Sequence, residues 1–246
     1  MKSRVPMRLC VVACSALVLG AVYGSQRESA DSSPPIDSPG AGNDSIRAFL
    51  KDVWPALSSA GKPGRVYYHA NCSPNDHSSP LSPLEFPKID VQPPLSTGSD
   101  LAVVRSIFRR DHTVTVAEDE TGIVRIRIGE VPDAILRTRI STLSLDARRQ
   151  FNVLSAIAAI ESAPEVQSVM RTLKIRLPVT AQNFRVILPD ESRPHLPTEI
   201  SNVAMDQALD MVARTWGGIV FYGACARPAT YQIFFADSVY FLGAKL

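Results

Sequence analysis

The chain has 246 residues, of which 45% are hydrophobic and 20% are charged. This composition supports a folded core and excludes a protein that is mostly disordered. The formal net charge is +2, and without Lys2, Arg4 and Arg8 the acidic residues outnumber the basic ones by one. Nucleic-acid-binding domains are usually strongly basic, so nucleic acid is not an expected partner.

Residues 1–24 have the pattern of an export signal. Three basic residues precede an uncharged apolar run from Leu9 to Ala21, and small residues follow as far as Gly24. The pattern predicts a signal peptide cleaved after Gly24, and therefore a periplasmic or secreted protein. The alternative is an uncleaved membrane anchor formed by residues 9–24, although this run is shorter than the roughly 20 residues of a spanning helix.

The next segment, residues 25–43, is rich in Ser, Pro, Asp and Gly and has almost no large apolar residue. We interpret it as a disordered linker. An N-terminal α+β unit is predicted over residues 44–178. The expected helices are a short one limited by Pro55, one from Asp100 to about Arg110, one at Pro132, one at Asp146–Ile160 and one that starts from a Ser162–Glu165 capping box. Strands are expected at Arg65–Asn71, Ile89–Val91 and Ile140–Leu143. The clearest signal is a hairpin that pairs His112–Val116 with Ile123–Ile128.

A C-terminal unit is predicted over residues 179–246, with the order strand, helix, strand, strand. Thr198–Val203 reads as a strand, and an apolar stripe with helical spacing follows before Gly217 and Gly218 end the helix. Two runs of β-branched and aromatic residues then indicate strands. Ile89–Ile128 repeats this order weakly, so the expected fold is α+β with two small β-α-β-β units and connecting helices. The stripe consists of Met205, Ala208, Leu209, Val212 and Trp216.

The segment Asn202–Tyr222 resembles the short N-terminal module of secretins and TonB-dependent receptors. The similarity rests on the Ala208-Leu209 pair in the helix, the Thr-Trp-Gly-Gly exit and the strands that follow. Two features depart from that module: Ala204 replaces the usual Ser or Thr before the helix, and Cys225 lies where a simple turn would do. The resemblance implies a docking role in the bacterial periplasm.

Cysteine usage is consistent with export. Cys10 and Cys14 fall within the predicted signal, which leaves Cys72 and Cys225. In an oxidising compartment two cysteines most simply form one disulfide, and we predict the Cys72–Cys225 bridge. Two buried free thiols are the alternative.

No pattern of catalytic, metal-binding or cofactor-binding residues is found. His69, Cys72, Asp76 and His77 are close in sequence, but their spacing fits no standard zinc site. The chain has neither a Gly-x-Ser-x-Gly elbow nor a phosphate-binding glycine loop. We therefore predict no catalytic residue, no metal and no cofactor.

Four arginines, Arg105, Arg109, Arg125 and Arg127, form a possible interaction face for an acidic partner. A solvated face balanced by the acidic run Glu118–Glu120 is the alternative. The sequence thus predicts a non-enzymatic, exported module that docks to a cell-envelope protein through a sheet edge or this arginine face. The alternatives are a secreted hydrolase using polar residues around Ser73–Pro94 and a membrane-tethered structural protein; the oligomeric state is not predicted.

Overall fold

Mixed helices and strands make up the chain, which confirms the predicted α+β class. The computed structural model describes residues 41–70, 84–95, 101–175, 192–226 and 229–237, all within the unit Pro39–Leu246. The elements in chain order are α1 (Ala41–Ser59), β1 (Gly64–His69), α2 (Leu101–Ile107), β2 (Val114–Glu118), β3 (Val124–Ile128), β4 (Arg139–Ser144), α3 (Ala147–Gln150), α4 (Val153–Glu161), α5 (Pro164–Thr172), β5 (Glu199–Ala204), α6 (Met205–Trp216), β6 (Ile219–Ala226) and β7 (Ala229–Ala236).

The main sheet has five strands in the order β2-β3-β1-β6-β7. The central strand, β1, runs parallel to both of its neighbours, β3 and β6. An antiparallel hairpin completes the sheet on each side, β2 with β3 and β6 with β7. The predicted hairpin of His112–Val116 with Ile123–Ile128 is therefore confirmed, and the two strands predicted after α6 pair with each other. The two predicted units, 44–178 and 179–246, contribute strands to one sheet.

Helices cover both faces of this sheet. One core lies between the sheet and helices α1 and α2, and the residue Phe86 is buried within it. The second core lies on the opposite face, beneath α4, α5 and α6. Strand β1 supplies both cores because its side chains alternate between the faces: Val66 and Tyr68 belong to the first core, whereas Tyr67 belongs to the second.

Helix α6 forms as its sequence predicts. Met205, Ala208, Leu209 and Val212 are all fully buried along one face, and Gly217 ends the helix with the left-handed backbone that glycine adopts most readily (φ 64°). At the other end, Ala204 provides no side-chain cap. The side chain of Gln207 instead accepts a hydrogen bond from the Ala204 amide at 2.9 Å.

The strand before α6 does not join the main sheet. Strand β5 pairs with β4 in a separate two-stranded ribbon. The corresponding strand predicted at Ile89–Val91 does not form, and this segment runs as coil against the first core. The leading strand expected for each unit is thus absent from the sheet, and β1 takes the central position instead.

Several helix boundaries differ from the predictions. Helix α1 continues through Pro55 to Ser59. No helix forms at Pro132, where the chain makes a turn. The helix predicted at Asp146–Ile160 is divided in two because Asn152 adopts extended backbone and caps α4 through the Ser155 amide. Helix α5 begins at Pro164 as predicted, but its N-cap is Ala163, so the predicted Ser162–Glu165 capping box does not form.

Candidate functional site

The densest group of charged side chains lies between the sheet and helix α6. Arg65 on β1 and Arg125 on β3 are register partners on adjacent parallel strands, so their side chains leave the same face of the sheet. Asp206 and Asp210 are four residues apart on α6, which places both carboxylates on one side of the helix. We call these four residues the Arg–Asp quartet.

Each arginine of the quartet contacts both aspartates. Arg65 reaches Asp206 Oδ1 with Nη2 at 2.8 Å and Asp210 Oδ1 with Nη1 at 2.7 Å. Arg125 reaches Asp206 Oδ2 with Nη1 at 2.9 Å and Asp210 Oδ2 with Nη2 at 2.5 Å. The four carboxylate oxygens are therefore all occupied by guanidinium groups. Arg65 also donates from Nη1 to the carbonyl oxygen of Asp206 at 2.8 Å, which binds it to the α6 backbone.

Burial differs sharply across the quartet. The Arg65 side chain has no exposed surface and that of Asp210 is 6% exposed, whereas Arg125 and Asp206 are 26% and 28% exposed. The quartet therefore extends from the protein interior to the solvent. Only its outer half is accessible to a ligand, and that half is already engaged in ion pairs.

Tyr67 lies beside the quartet on the same face of β1. Its hydroxyl donates to Asp206, at 3.0 Å from Oδ1 and 3.2 Å from Oδ2, and Arg125 Nη1 donates to the same hydroxyl. Burial raises the pKa of Tyr67 well above its ordinary value, more strongly than the neighbouring arginines lower it. The guanidinium of Arg127 stacks on the Tyr67 ring, with Cζ 5.1 Å from the centroid. Tyr67 therefore remains a neutral hydrogen-bond donor.

Asp119, at the β2–β3 turn, extends the charge network. Its Oδ2 lies 2.8 Å from Arg125 Nη2, while Oδ1 accepts hydrogen bonds from Thr121 and from the Ile123 amide. Desolvation opposes ionisation of this carboxyl, but the hydrogen bonds outweigh it and hold its pKa at about 2. Asp119 thus fixes both the turn and the side chain of Arg125.

The chemistry available to this network is that of a structural clamp. The charges of the quartet balance and its oxygens are saturated, so its carboxylates are not poised as general bases. Within the described ranges, no group of three or more His, Cys, Asp or Glu side chains has the geometry to hold a metal ion. The quartet instead fixes α6 to β1 and β3, since a carboxylate paired with two guanidinium groups has little freedom to turn.

The structure divides the four predicted arginines between the two faces of the sheet. Arg105 and Arg109 belong to the α2 segment, on the first face. Arg125 and Arg127 lie on the opposite face with Tyr67. They do not form the single interaction face expected from the sequence, because α2 and the side chains of Arg125 and Arg127 lie on opposite sides of β3.

The other predicted site residues are only partly described. Cys225 is buried, and its Sγ lies 4.0 Å from the carbonyl oxygen of Ala70. Its predicted partner Cys72 is outside the described residues, as are Asp76, His77, the predicted signal and residues 25–40 of the predicted linker. The last three linker residues, 41–43, belong instead to the first turn of α1. His69 is exposed at the end of β1. No helix among the described residues is long and apolar enough to cross a membrane.

Strand β2 is the terminal strand on one side of the main sheet. Thr113 accepts a backbone hydrogen bond from Gly129, and Asp119 donates one to Ile123. Odd-numbered residues therefore turn their backbone groups toward β3, and the alternation of an antiparallel pair turns those of Val114, Val116 and Glu118 outward. We call this outward row the β2 edge.

Two intramolecular contacts occupy part of the β2 edge. The Val114 amide donates to the Asp111 carbonyl at 3.2 Å, and Arg105 Nε donates to the Val116 carbonyl at 3.1 Å. Among the described residues, no hydrogen bond reaches the Val116 amide or the backbone of Glu118 on this side. The Glu118 side chain is held by Lys62, with Nζ 2.7 Å from Oε1. Within the described part of the chain, the Val116 amide and the backbone groups of Glu118 are thus left without a hydrogen-bond partner.

Strand β7 forms the opposite edge of the sheet. Near it, the Leu84 amide donates to Gln232 Oε1 at 2.8 Å. This contact is with a side chain on a face of β7, not with the outward backbone groups of that strand.

Sequence reasoning did not identify Arg65, Asp206 or Asp210. A weak signal was present, because acidic residues four apart on α6 follow directly after Met205 and Leu209 of the buried stripe and so lie close to the core-facing side. An acidic pair in that position needs basic partners across the interface. The sequence did not show that β1 and β3 would provide them.

Comparisons with protein families, with curated proteins and with solved structures gave no match.

Proposed function

We propose that this chain is an exported, non-enzymatic interaction protein of the bacterial cell envelope, which binds an extended segment of a partner protein along the β2 edge. The observation that carries the proposal is the row of outward-facing backbone groups at Val114, Val116 and Glu118. A sheet edge of this kind binds a peptide strand through main-chain hydrogen bonds, with side-chain contacts adding specificity.

The rigidity of the sheet supports this proposal. Strand β2 is joined to β3 over five residue pairs, and β3 is fixed to β1 and α6 by the Arg–Asp quartet. An edge held in this way loses little conformational freedom when a strand is added, so less of the binding free energy is spent on ordering. The quartet thereby acts indirectly, by holding the docking strand in place.

The cellular part of the proposal is supported by the sequence. The basic and apolar pattern of residues 1–24 is typical of an export signal, and Asn202–Tyr222 resembles a periplasmic docking module. The expected mature protein begins at Ser25, and its location is the periplasm or the exterior. Mass spectrometry of the N-terminus of the protein isolated from its own cells tests this expectation.

Docking at the β2 edge is tested by site-specific photo-crosslinking in the same cells. A photoreactive amino acid replaces the exposed Thr115 on β2, and a control carries it at the exposed Ser168 on α5. We expect a discrete crosslinked protein species from position 115 that is absent from position 168. Equal products from both positions would contradict docking at this edge.

A backbone variant makes the test specific. Val116→Pro in the Thr115 probe protein removes an outward-facing amide but no hydrogen bond to β3, so the fold should persist. The product from position 115 should then disappear, while Val116→Thr, which keeps the amide, should retain it. Circular dichroism checks that both variants fold. Crosslinking that survives Val116→Pro would show that main-chain pairing is not the binding mode.

A further inference from the structure

Arg105 occupies the centre of the β2 edge. It extends from the last turn of α2, and its Nε donates to the carbonyl oxygen of Val116 at 3.1 Å. The Arg105 side chain is exposed, and among the described residues the bond to Val116 is its only hydrogen bond or ion pair. An added strand needs the Val116 carbonyl for its own amide. Binding therefore brings a second donor to that oxygen in competition with Arg105, and a guanidinium released from it is free to contact the bound strand.

We infer that Arg105 selects the partner, and that the strand bound at the β2 edge carries a carboxylate opposite Val116. This inference rests on the proposed function. Residues directly opposite each other in an antiparallel pair place their side chains on the same face. Val116 packs toward the α1–α2 core, which is the face from which Arg105 approaches. The residue opposite Val116 thus meets the released guanidinium.

The neighbouring positions specify the rest of the bound strand. Val114 is half-buried on the same face, so the residue opposite it should be apolar. Glu118 is already held by Lys62 at 2.6 Å, so the residue opposite Glu118 meets a neutralised carboxylate and has no strong charge requirement. The expected ligand is an extended segment in which an acidic residue stands two positions from an apolar one.

A second copy of this chain is a poor occupant of the same edge. Antiparallel pairing of two β2 strands about Val116 would place two Arg105 side chains beside each other. Like charges in directly opposed positions destabilise a strand pair, and within the described residues no acidic side chain contacts Arg105. The charge at the centre of the edge therefore favours an acidic partner strand over self-association.

Three synthetic peptides test the inference on the full chain. Each alternates valine and threonine and differs only in its central residue, which is glutamate, glutamine or lysine. Methylation of the amides on one peptide edge prevents self-association. By fluorescence anisotropy we expect the glutamate peptide to bind about 1.4- to fivefold more tightly than the glutamine peptide, the range of an opposite-charge cross-strand pair. The lysine peptide should bind most weakly.

Charge reversal provides the decisive variant. Arg105→Glu should invert the order of the three peptide affinities, so that the lysine peptide binds most tightly. Arg110→Glu is the matched control, because it makes the same charge change at a nearby exposed position and should leave the order intact. If both variants shift the order equally, net charge and not Arg105 selects the ligand, and the inference is overturned.

The outcomes separate this inference from the proposed function. Equal affinity for all three peptides, together with loss of binding in Val116→Pro, would overturn selection by Arg105 and leave strand docking intact. Binding that persists in Val116→Pro would count against docking at this edge. Failure of every peptide to bind would overturn both.

Discussion

Arg65 and Asp210 lie 145 positions apart in the chain, yet Nη1 of the arginine is 2.7 Å from Oδ1 of the aspartate in the protein interior. This contact joins the central strand of the sheet to helix α6. Because the Arg65 side chain is fully buried, it depends on this partner and on Asp206 to balance its charge.

Removal of Asp210 should therefore destabilise the fold strongly. Asp210→Ala leaves the buried charge of Arg65 with one carboxylate fewer, and we expect a loss of about 3–5 kcal/mol in the free energy of unfolding. Asp133→Ala is the control, because its ion pair with Arg137 is exposed and should contribute less than about 1 kcal/mol. Urea denaturation measures both; equal losses would contradict a stabilising role for the quartet.

Glu161 should make stability depend on pH. The side chain lies at the end of α4 near Tyr231, and desolvation raises its pKa to about 7 although a hydrogen bond with Tyr231 opposes the rise. A raised pKa means that the folded state favours the protonated carboxyl. The stability that Glu161 contributes is therefore fully present below about pH 4.3, the ordinary glutamate pKa, and is lost as the pH rises through 7. Glu161→Gln should remove that decline.

The measurement is the thermal unfolding midpoint of both proteins across this range. We expect the unfolding midpoint of Glu161→Gln to rise relative to that of the parent protein between pH 5 and pH 8. At the acidic end of the range the two midpoints should differ little. A constant offset at every pH would indicate a packing effect and not a titration.

Gly223 should not tolerate a side chain. It is the register partner of Tyr68 on the adjacent strand, and a Cβ at this position would lie 2.1 Å from Tyr68 Cζ. Tyr68 is fully buried, so its ring would have to shift against the surrounding core. Gly223→Ala should cost about 1–3 kcal/mol of unfolding free energy.

A double-mutant cycle shows whether this cost arises from Tyr68. Tyr68→Leu removes the ring atoms that the new methyl group would meet, so Gly223→Ala should cost less in that background. Denaturant titration of the parent, the two single variants and the double variant gives the coupling free energy between positions 68 and 223. Additive losses would place the origin of the effect elsewhere in the strand.

Cys225 should be found in a disulfide with Cys72. Its Sγ lies 4.0 Å from the Ala70 carbonyl oxygen, and two residues of chain are enough to bring Cys72 within the Cα separation of about 4.4–6.8 Å that a disulfide needs. A linked peptide in the non-reducing map of the exported protein, lost on reduction, is the expected result. In the chain-entropy model, a bridge over this span stabilises by about 4–5 kcal/mol. Two alkylatable thiols would contradict it.

The elements that were predicted most accurately are those whose signals are local. The β2–β3 hairpin follows from alternating side chains on both sides of a turn ending at Gly122. Helix α6 follows from its apolar stripe and from Gly217, which accepts the left-handed backbone at the helix end. The break at Asn152 was missed because the apolar period continues across it, while a single capping side chain decides where α4 begins.

The sequence by itself determined the α+β class, the β2–β3 hairpin and the helix that carries Asp206 and Asp210, because periodicity and capping depend on residues close together in the chain. Only the tertiary structure decided that β1 lies at the centre of the sheet, that the arginines divide between its faces and that β2 is an edge strand. Side-chain alternation shows which residues share a face of a strand, but it does not show which strands are neighbours. The Arg–Asp quartet depends on that pairing, since it joins charges from two strands and one helix that are distant in sequence.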